Sequence, residues 1–368
     1  MSSSWPGVLG ALAARRHLEP AQARWAMDAI LAGDASNAQI AGFVLGLRVK
    51  GETPEEVAAL AAAMAERGRR VDLAGGPVLD VVGTGGDQHH SVNVSTMAAL
   101  VCAAAGATVV KHGNRAVSSS TGTADVLEAL GVAIDLDPEQ VVECVEESGI
   151  GFCFAPVFHP AMRHAAPARR ELGIPTVFNI LGPLTNPAGA QSALVGCAAE
   201  PWAPIMADVL ARRSVRALVV RGDDGADEIS TTAPTTVWDA RGSNVVIERI
   251  DSRDLGCEPA VLDDLRGGDS HRNAELLRKS LGACDDGDPD DRQVRAIRSA
   301  VAVNAAAALV AYDCARGVES ARPDAMPLTE AIAARLPVVE NVIARGAAVE
   351  LLDRWAAAST RIKQSASD

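Results

Sequence analysis

Asp80-Val-Val-Gly-Thr-Gly-Gly-Asp87, followed by Ser91-Val-Asn-Val-Ser-Thr96, is the stretch whose reading decides the fold. Val78 to Val82 reads as a short buried strand that runs directly into glycines, and the polar run after it opens a helix over Thr96 to Ala105. Glycines at such a turn let the backbone approach a phosphate closely, and the helix N-terminus presents unpaired amides. The turn is not G-x-G-x-x-G, because Gln88 holds the last position, and no Gly-Lys-Ser/Thr follows at Walker spacing. Taken alone, it serves equally as an ordinary capped strand-to-helix turn.

Outward from this stretch the same grammar repeats. Thr108 to Val110, Ile150 to Ala155 and Val215 to Val220 read as buried strands, separated by Ala-rich helices and a helix opened by Asp137-Pro-Glu-Gln140. Strand, glycine turn, helix, strand predicts a mostly parallel central sheet with crossover helices. Thr235 to Trp238 and Val245 to Ile250 add two further strands, the remainder from about Asp290 is helical, and Lys363 to Asp368 reads as a frayed tail. Gly267-Gly-Asp and Cys284 to Asp291 read as loops.

Toward the N-terminus the pattern is helical only. Ile40, Phe43, Val44 and Leu47 form one apolar stripe, and Thr53-Pro-Glu-Glu56 is a capping box with proline at the first helical position. The segment His159 to Pro187 interrupts the alternation with a basic helix and a Pro/Gly/Asn-rich turn, and can fold back onto these helices. The expectation is an α/β protein: a small all-helical domain over 1–73, completed by about 159–187, and a large α/β domain over 74–158 and 188–368.

The chain has 368 residues, 34 basic and 47 acidic, for a net charge of −13. That sign argues against nucleic acid as a partner, so a phosphorylated ligand needs a local device of amides, placed cations or a metal. Seven scattered cysteines without a C-x-x-C pair read as buried thiols in a reducing compartment. No basic region followed by an apolar run opens the chain. Val94 to Val110 and Ala300 to Ala311 are too interrupted for a span of roughly 20 apolar residues, so no membrane partner is expected and the protein reads as soluble and cytoplasmic.

Two further segments carry chemistry. Lys111-His-Gly-Asn-Arg-Ala-Val-Ser-Ser119 follows the next strand, where a parallel sheet places it beside the first loop; cations, an amide and hydroxyls gathered there suit a phosphate cradle. Gly222-Asp-Asp-Gly-Ala-Asp-Glu228 follows a strand directly, and adjacent carboxylates beside a phosphate require a divalent cation between them. A surface Asp/Gly turn is the plain alternative.

Together, Gly83-Thr-Gly-Gly-Asp87, Asn93-Val-Ser-Thr96, Lys111-His-Gly-Asn-Arg115, Ala124-Asp-Val-Leu-Glu-Ala-Leu130, Phe178-Asn-Ile-Leu-Gly-Pro-Leu-Thr-Asn-Pro187 and Asp227-Glu228 resemble the anthranilate phosphoribosyltransferases, which act at the second step of tryptophan biosynthesis. The resemblance runs nearly the whole chain, with six motifs in order. It implies that phosphoribosyl pyrophosphate is held by Gly83, Gly86, Asp87, Ser91, Asn93, Val94, Ser95, Thr96, Lys111, His112, Gly113, Asn114, Arg115, Ala116, Val117, Ser118, Ser119 and Thr123. It places Mg2+ at Ser95, Asp227 and Glu228, and anthranilate at Gly83, Asn114 and Arg169, with Arg169 on its carboxylate. Lys111, Asn114 and Arg169 are the implied catalytic residues. The resemblance also implies a homodimer through the small domain. Two positions depart from the pattern: Gln88-His-His90, where small or polar residues are usual and the histidines read as exposed loop residues, and Thr123, where Ser, Gly or Ala is typical.

Displacement of pyrophosphate by a neutral aromatic amine needs alignment and leaving-group stabilisation more than a strong general base. Nucleoside phosphorylases share the stretch from Lys111 through Ala124-Asp-Val-Leu-Glu, but Asn114 and Asp227-Glu228 favour the anthranilate enzymes. A non-catalytic nucleic-acid binder on the same scaffold would need a basic groove.

Overall fold

Four helices form first along the chain because each has a start signal: α1 (Trp5–Ala13), α2 (Pro20–Ala32), α3 (Asn37–Lys50) and α4 (Pro54–Arg67). Ser36 and Thr53 cap α3 and α4 in reciprocal boxes with Gln39 and Glu56. The stripe Ile40, Phe43, Val44, Leu47 is buried as its spacing requires. Glu56 does more than cap: it pairs with Lys50 at 2.7 Å and accepts from the Leu18 amide, so the buried carboxylate is fully partnered. The computed structural model describes residues 3–87, 89–116, 121–282 and 291–365. Gln88, Val117, Ser118, Ser119, Ser120, residues 283–290 and the last three residues therefore lie outside the described residues, and with them most of the segment Cys284 to Asp291.

From residue 79 onward, strands and helices alternate. β1 (Leu79–Gly83), α5 (Val94–Ala104), β2 (Val109–Gly113), α6 (Thr123–Ala129), α7 (Pro138–Ser148) and β3 (Ile150–Phe154) make two successive crossover units. The returning segment holds α8 (Ala155–Phe158), α9 (Ala166–Leu172) and α10 (Phe178–Leu181). It does fold back, setting α9 on α3 and α10 on α4. β4 (Ser192–Gly196), α11 (Ala203–Arg212), β5 (Arg216–Gly222), β6 (Thr235–Asp239) and β7 (Val246–Ile250) follow, then α12 (Ser270–Leu281), α13 (Arg292–Ala315), α14 (Leu328–Ala344) and α15 (Ala347–Ser365).

The seven strands lie in the order β3-β2-β1-β4-β5-β6-β7. The first five are parallel, and β6 and β7 are antiparallel additions at one edge. The parallel pairing of β1 with β2 sets the Lys111 segment beside the glycine turn, as expected. The chain proceeds from β1 toward β3 on one side and returns to β4 on the other, so the order reverses beside β1. In open α/β sheets ligands bind outside the C-terminal strand ends at such a reversal.

Strand periodicity assigns the two faces. Leu194, Leu218 and Val220 pack among α5, α13 and their neighbours, whereas Ala193, Val195, Ala217 and Val219 pack against α11 and a core continuous with α1 to α4. The small helical unit thus shares its core with one face of the sheet.

Three expectations need correction. Strand β4, at the centre of the sheet, carried no sequence signal, because Ser-Ala-Leu-Val-Gly is short and only weakly β-branched. The helix around Ala300 to Ala311 extends over the 24 residues Arg292–Ala315 and is long and apolar enough to cross a membrane; it is instead buried in the core against α5, β4 and α14. The chain end stays in α15 through Ser365 rather than fraying at Lys363, and Lys363 pairs with Asp135 at 2.6 Å. Among the described residues, all six cysteines are free thiols.

Candidate active site

The glycine turn is built to admit a carboxylate. Gly83 ends β1, and a side chain there would place its Cβ 2.3 Å from Asp227 Oδ2. Gly196, the register partner of Gly83 at the end of β4, would collide with the Asp227 backbone carbonyl at 1.5 Å. Gly85 and Gly86 take φ of 66° and 88°, which only glycine adopts without strain. With that space left open, Asp227 Oδ2 accepts the Gly85 amide at 2.7 Å. The acidic loop after β5 therefore closes directly onto the glycine turn.

The histidines of this turn differ from the expectation of exposed loop residues. His90 is exposed, with φ of 53°, but His89 is tucked in: Nε2 lies 3.1 Å from the Asp224 carbonyl and Nδ1 3.7 Å from Asp87. It bridges the two loops, and Gly225, at φ of 96°, makes the turn that follows Asp224. Asp224 organises its own loop, accepting from Ser230 at 2.6 Å, from Thr232 and from the Ala226 amide at 3.1 Å. Ser91 pairs as an isolated bridge with Arg266, and the Val92 amide reaches Leu265 O, so the 262–268 segment covers the glycine turn.

Lys111 is not in a loop. It lies within β2, in register with Phe152, and only 1% of it is exposed. Its ammonium donates to the Val81 carbonyl and, at 3.1 Å, to Ser95 Oγ. Burial pulls its pKa down to about 8, opposed by the carboxylates of Asp80, Glu228 and Asp227. The strand continues further than the sequence suggested because the ladder to β3 runs through Gly113. Alternation then turns His112 the other way, where Nδ1 meets the Gly182 carbonyl at 3.0 Å and the ring lies 5.1 Å from His159. Burial, with His159 adding to it, holds His112 neutral, its pKa pushed down to about 3.

Asn114, Arg115 and Ala116 follow β2 at its C-terminal end. Asn114 is exposed and its Oδ1 accepts the Arg115 amide. Arg115 is engaged by Asp125 at 2.9 Å and Glu128 at 2.6 Å, with its guanidinium 5.7 Å from the Phe154 ring. Gly113 packs so closely that an added Cβ would lie 3.1 Å from the Thr123 Cβ. The N-terminus of α5, with Val94, Ser95 and Thr96 in its first turn, has no side-chain cap: Asn93 instead reaches Thr121 O at 3.3 Å and accepts from Asn273 at 2.9 Å. Uncapped amides there suit an anionic ligand.

Arg169 sits on α9, half-buried, with its guanidinium 5.8 Å from the Phe178 ring. Among the described residues no carboxylate pairs with it, and burial lowers its pKa. Phe178 opens the α10 turn that ends at Gly182, the residue touching His112, so Arg169 and the end of β2 meet the same segment.

Burial also raises Asp227, to about 6, with Asp87 adding repulsion, and it raises Glu228 well above the carboxylate range, with Asp227 and Asp87 adding to it. No three His, Cys, Asp or Glu side chains among the described residues converge as an all-protein metal cage would require. Repelling carboxylates without such a cage fit a cation held jointly with ligand phosphates.

Sequence reading missed Asp125, whose Oδ2 accepts the amides of both Ala116 and Gly122 and so ties these two residues to the start of α6. It also missed Asn186, which donates to Asp80 at 2.7 Å and to Val110 O, and Asn273, which ties Gly268 to Asn93. Only for Asp125, three residues after Gly122 at the start of α6, was there a local capping signal.

Glycine-turn amides, a buried lysine and paired carboxylates meet at the switch point of the sheet, beside a helical bundle, in a chain of the glycosyl transferase class. The family model described as "Glycosyl transferase family, a/b domain" matches residues 75–347, and that described as "Glycosyl transferase family, helical bundle domain" matches 6–68. A curated anthranilate phosphoribosyltransferase from Saccharopolyspora erythraea is 50% identical over 98% of this chain and 98% of its own length. The crystal structure of the anthranilate phosphoribosyltransferase from Thermus thermophilus superposes with a TM-score of 0.83 at 40% identity, covering 96% of this chain and 99% of that one. The Saccharomyces cerevisiae enzyme in complex with PRPP and Mg gives 0.83 at 26% identity, over 97% and 98%. The chain belongs to the anthranilate phosphoribosyltransferase family.

Proposed function

We propose that this protein transfers the 5-phosphoribosyl group of phosphoribosyl pyrophosphate to anthranilate, giving N-(5-phosphoribosyl)-anthranilate and pyrophosphate. The observation that carries the reading is the closure of the Asp227-Glu228 loop onto the Gly83 to Asp87 turn beside the uncapped start of α5. The phosphate groups lie over Gly83, Gly86, Asp87, Ser91, Asn93, Val94, Ser95 and Thr96 on one side. On the other they meet the chain leaving β2, from Gly113 and Asn114 through Arg115 and Ala116 to Thr123, while Lys111 stands behind Ser95 and His112, turned toward Gly182, does not face them.

Ser95, Asp227 and Glu228 hold Mg2+, which when bound offsets charge on the departing pyrophosphate. Lys111 donates to Ser95, so its charge acts through that hydroxyl and across the acidic pair rather than from a loop tip. Arg169, with no carboxylate of its own, receives that of anthranilate. Asn114, exposed at the mouth of the crevice, orients the amine. Most of the rate comes from alignment of the two substrates.

A second copy of this chain is the partner that the small domain fits. Leu45 and Val49 on α3 are 40% and 61% exposed, and Ile174 lies just beyond α9, which packs on α3. Leu45→Glu with Val49→Glu is expected to halve the mass measured by light scattering, and an unchanged mass would place the interface elsewhere.

Loss of anthranilate fluorescence on addition of phosphoribosyl pyrophosphate and Mg2+, beside other aromatic amines, tests the activity. Consumption of another amine in preference to anthranilate would reassign the acceptor.

A further inference from the structure

We infer that Asn304 is a positioning residue for the metal-holding carboxylates, acting from the middle of α13. This helix is almost entirely apolar where it crosses the core: Val301, Val303 and a run of alanines surround Asn304, which is 2% exposed. An amide in such surroundings is costly unless bonded, and this one is fully used. Oδ1 accepts the Ile229 amide at 2.9 Å, while Nδ2 donates to the Ile229 carbonyl and to Ala300 O, each at 2.9 Å.

Ile229 belongs to no strand, yet the Asn304 side chain bonds its backbone N–H and C=O as a neighbouring strand would. The two bonds fix the peptide planes on either side of Ile229, and the first of these planes begins at Glu228. The rest of the loop is held elsewhere: Asp227 on the Gly85 amide, Asp224 on Ser230 and Thr232, and the Ser230 amide on Thr235. Without Asn304, Glu228 would lie between these anchors with no hold on its own peptide. A core side chain that fixes its backbone keeps the donor set assembled before the cation arrives.

This inference rests on the reading of Asp227 and Glu228 as metal-holding, and the experiment separates the two. Mn2+ binding in the presence of inorganic pyrophosphate is measured by electron paramagnetic resonance for Asn304→Ala, Asn304→Ser and Glu228→Gln. The Mg2+ dependence of turnover, the KM of each substrate and the melting temperature are measured in parallel. Asn304→Ser leaves a small polar side chain in the helix and serves if the alanine variant does not fold. The expected result is about a tenfold weaker Mn2+ affinity in the Asn304 variants and a matching rise in the Mg2+ requirement, with kcat recovered at saturating Mg2+. A lower melting temperature with unchanged Mn2+ affinity would make Asn304 a packing residue and overturn the inference. So would a kcat loss that Mg2+ does not restore. Unchanged Mn2+ affinity in Glu228→Gln would instead sink the metal reading itself, whereas its loss there alone, with the Asn304 variants intact, rejects only the role of Asn304.

Discussion

At Gly83 and Gly86 the same residue type meets two different demands. Gly83 is needed for space, since its Cβ would overlap Asp227, whereas Gly86 is needed for its left-handed φ and has open space around it. Gly83→Ala is therefore expected to displace Asp227 and raise the Mg2+ requirement several-fold, as read in a metal titration. Gly86→Ala should cost roughly 1–2 kcal/mol of backbone strain and leave that requirement nearly unchanged; equal effects would remove the distinction. For Arg169→Ala, loss of one charge-assisted contact of roughly 1.5 to 3 kcal/mol should raise KM for anthranilate about tenfold or more and leave that for phosphoribosyl pyrophosphate within about twofold. Equal weakening of both substrates would argue that Arg169 supports the fold of α9 instead. The glycine turn, the Lys111 segment and the acidic pair were legible because each is a short polar or glycine-rich run at the end of a strand. Asn273 and Asn304 were not, because a lone amide in a helix gains meaning only from partners 180 and 75 residues away.

Elements supply what single residues lack. The hydrophobic period and capping signals revealed α3, α4, α7 and six of the seven strands. β4 escaped because its position in the sheet comes from pairing with β1 and β5 rather than from its own composition. The same ladder explains why Lys111 and His112 face opposite ways: the segment read as a loop is strand through Gly113. Beyond Gly113 the chain leaves the strand, and α6 holds Ala116 and Gly122. Asp125 bonds the Ala116 and Gly122 amides and pairs with Arg115, and Gly122 itself cannot carry a Cβ, which would lie 2.3 Å from Ala116 N. Asp125→Ala should therefore release Ala116 and Gly122 from α6, raising KM for phosphoribosyl pyrophosphate by about tenfold while the melting temperature falls by only a few degrees. An unchanged KM would assign Asp125 to helix capping alone.

For the whole molecule, two sets of buried groups titrate with opposite effect on stability. Asp80 and Asp227 are both raised to about 6, mainly by burial, above the value near 3.9 expected of an unfolded aspartate. The folded state thus binds more protons between about pH 4 and 6, and their contribution to stability declines as pH rises through that window. His112, pushed down to about 3, and His159, also lowered by burial, do the reverse: the unfolded state binds the protons, so stability rises with pH up to about 6.5. In the free protein these slopes oppose one another, and the raised Glu228 adds to the first. Magnesium with phosphoribosyl pyrophosphate changes only one side, because a cation beside Asp227 and Glu228 favours their charged forms and lowers their folded pKa values. The histidines, held by the Gly182 and Thr185 carbonyls, keep theirs. The rise in melting temperature produced by saturating ligand is therefore expected to be small near pH 4.5 and to grow as pH climbs through about 6, where Asp227 gives up its proton. A ligand-induced shift that is constant across this range would mean that Asp227 and Glu228 do not give up protons to the cation, and the metal would have to be held by other groups.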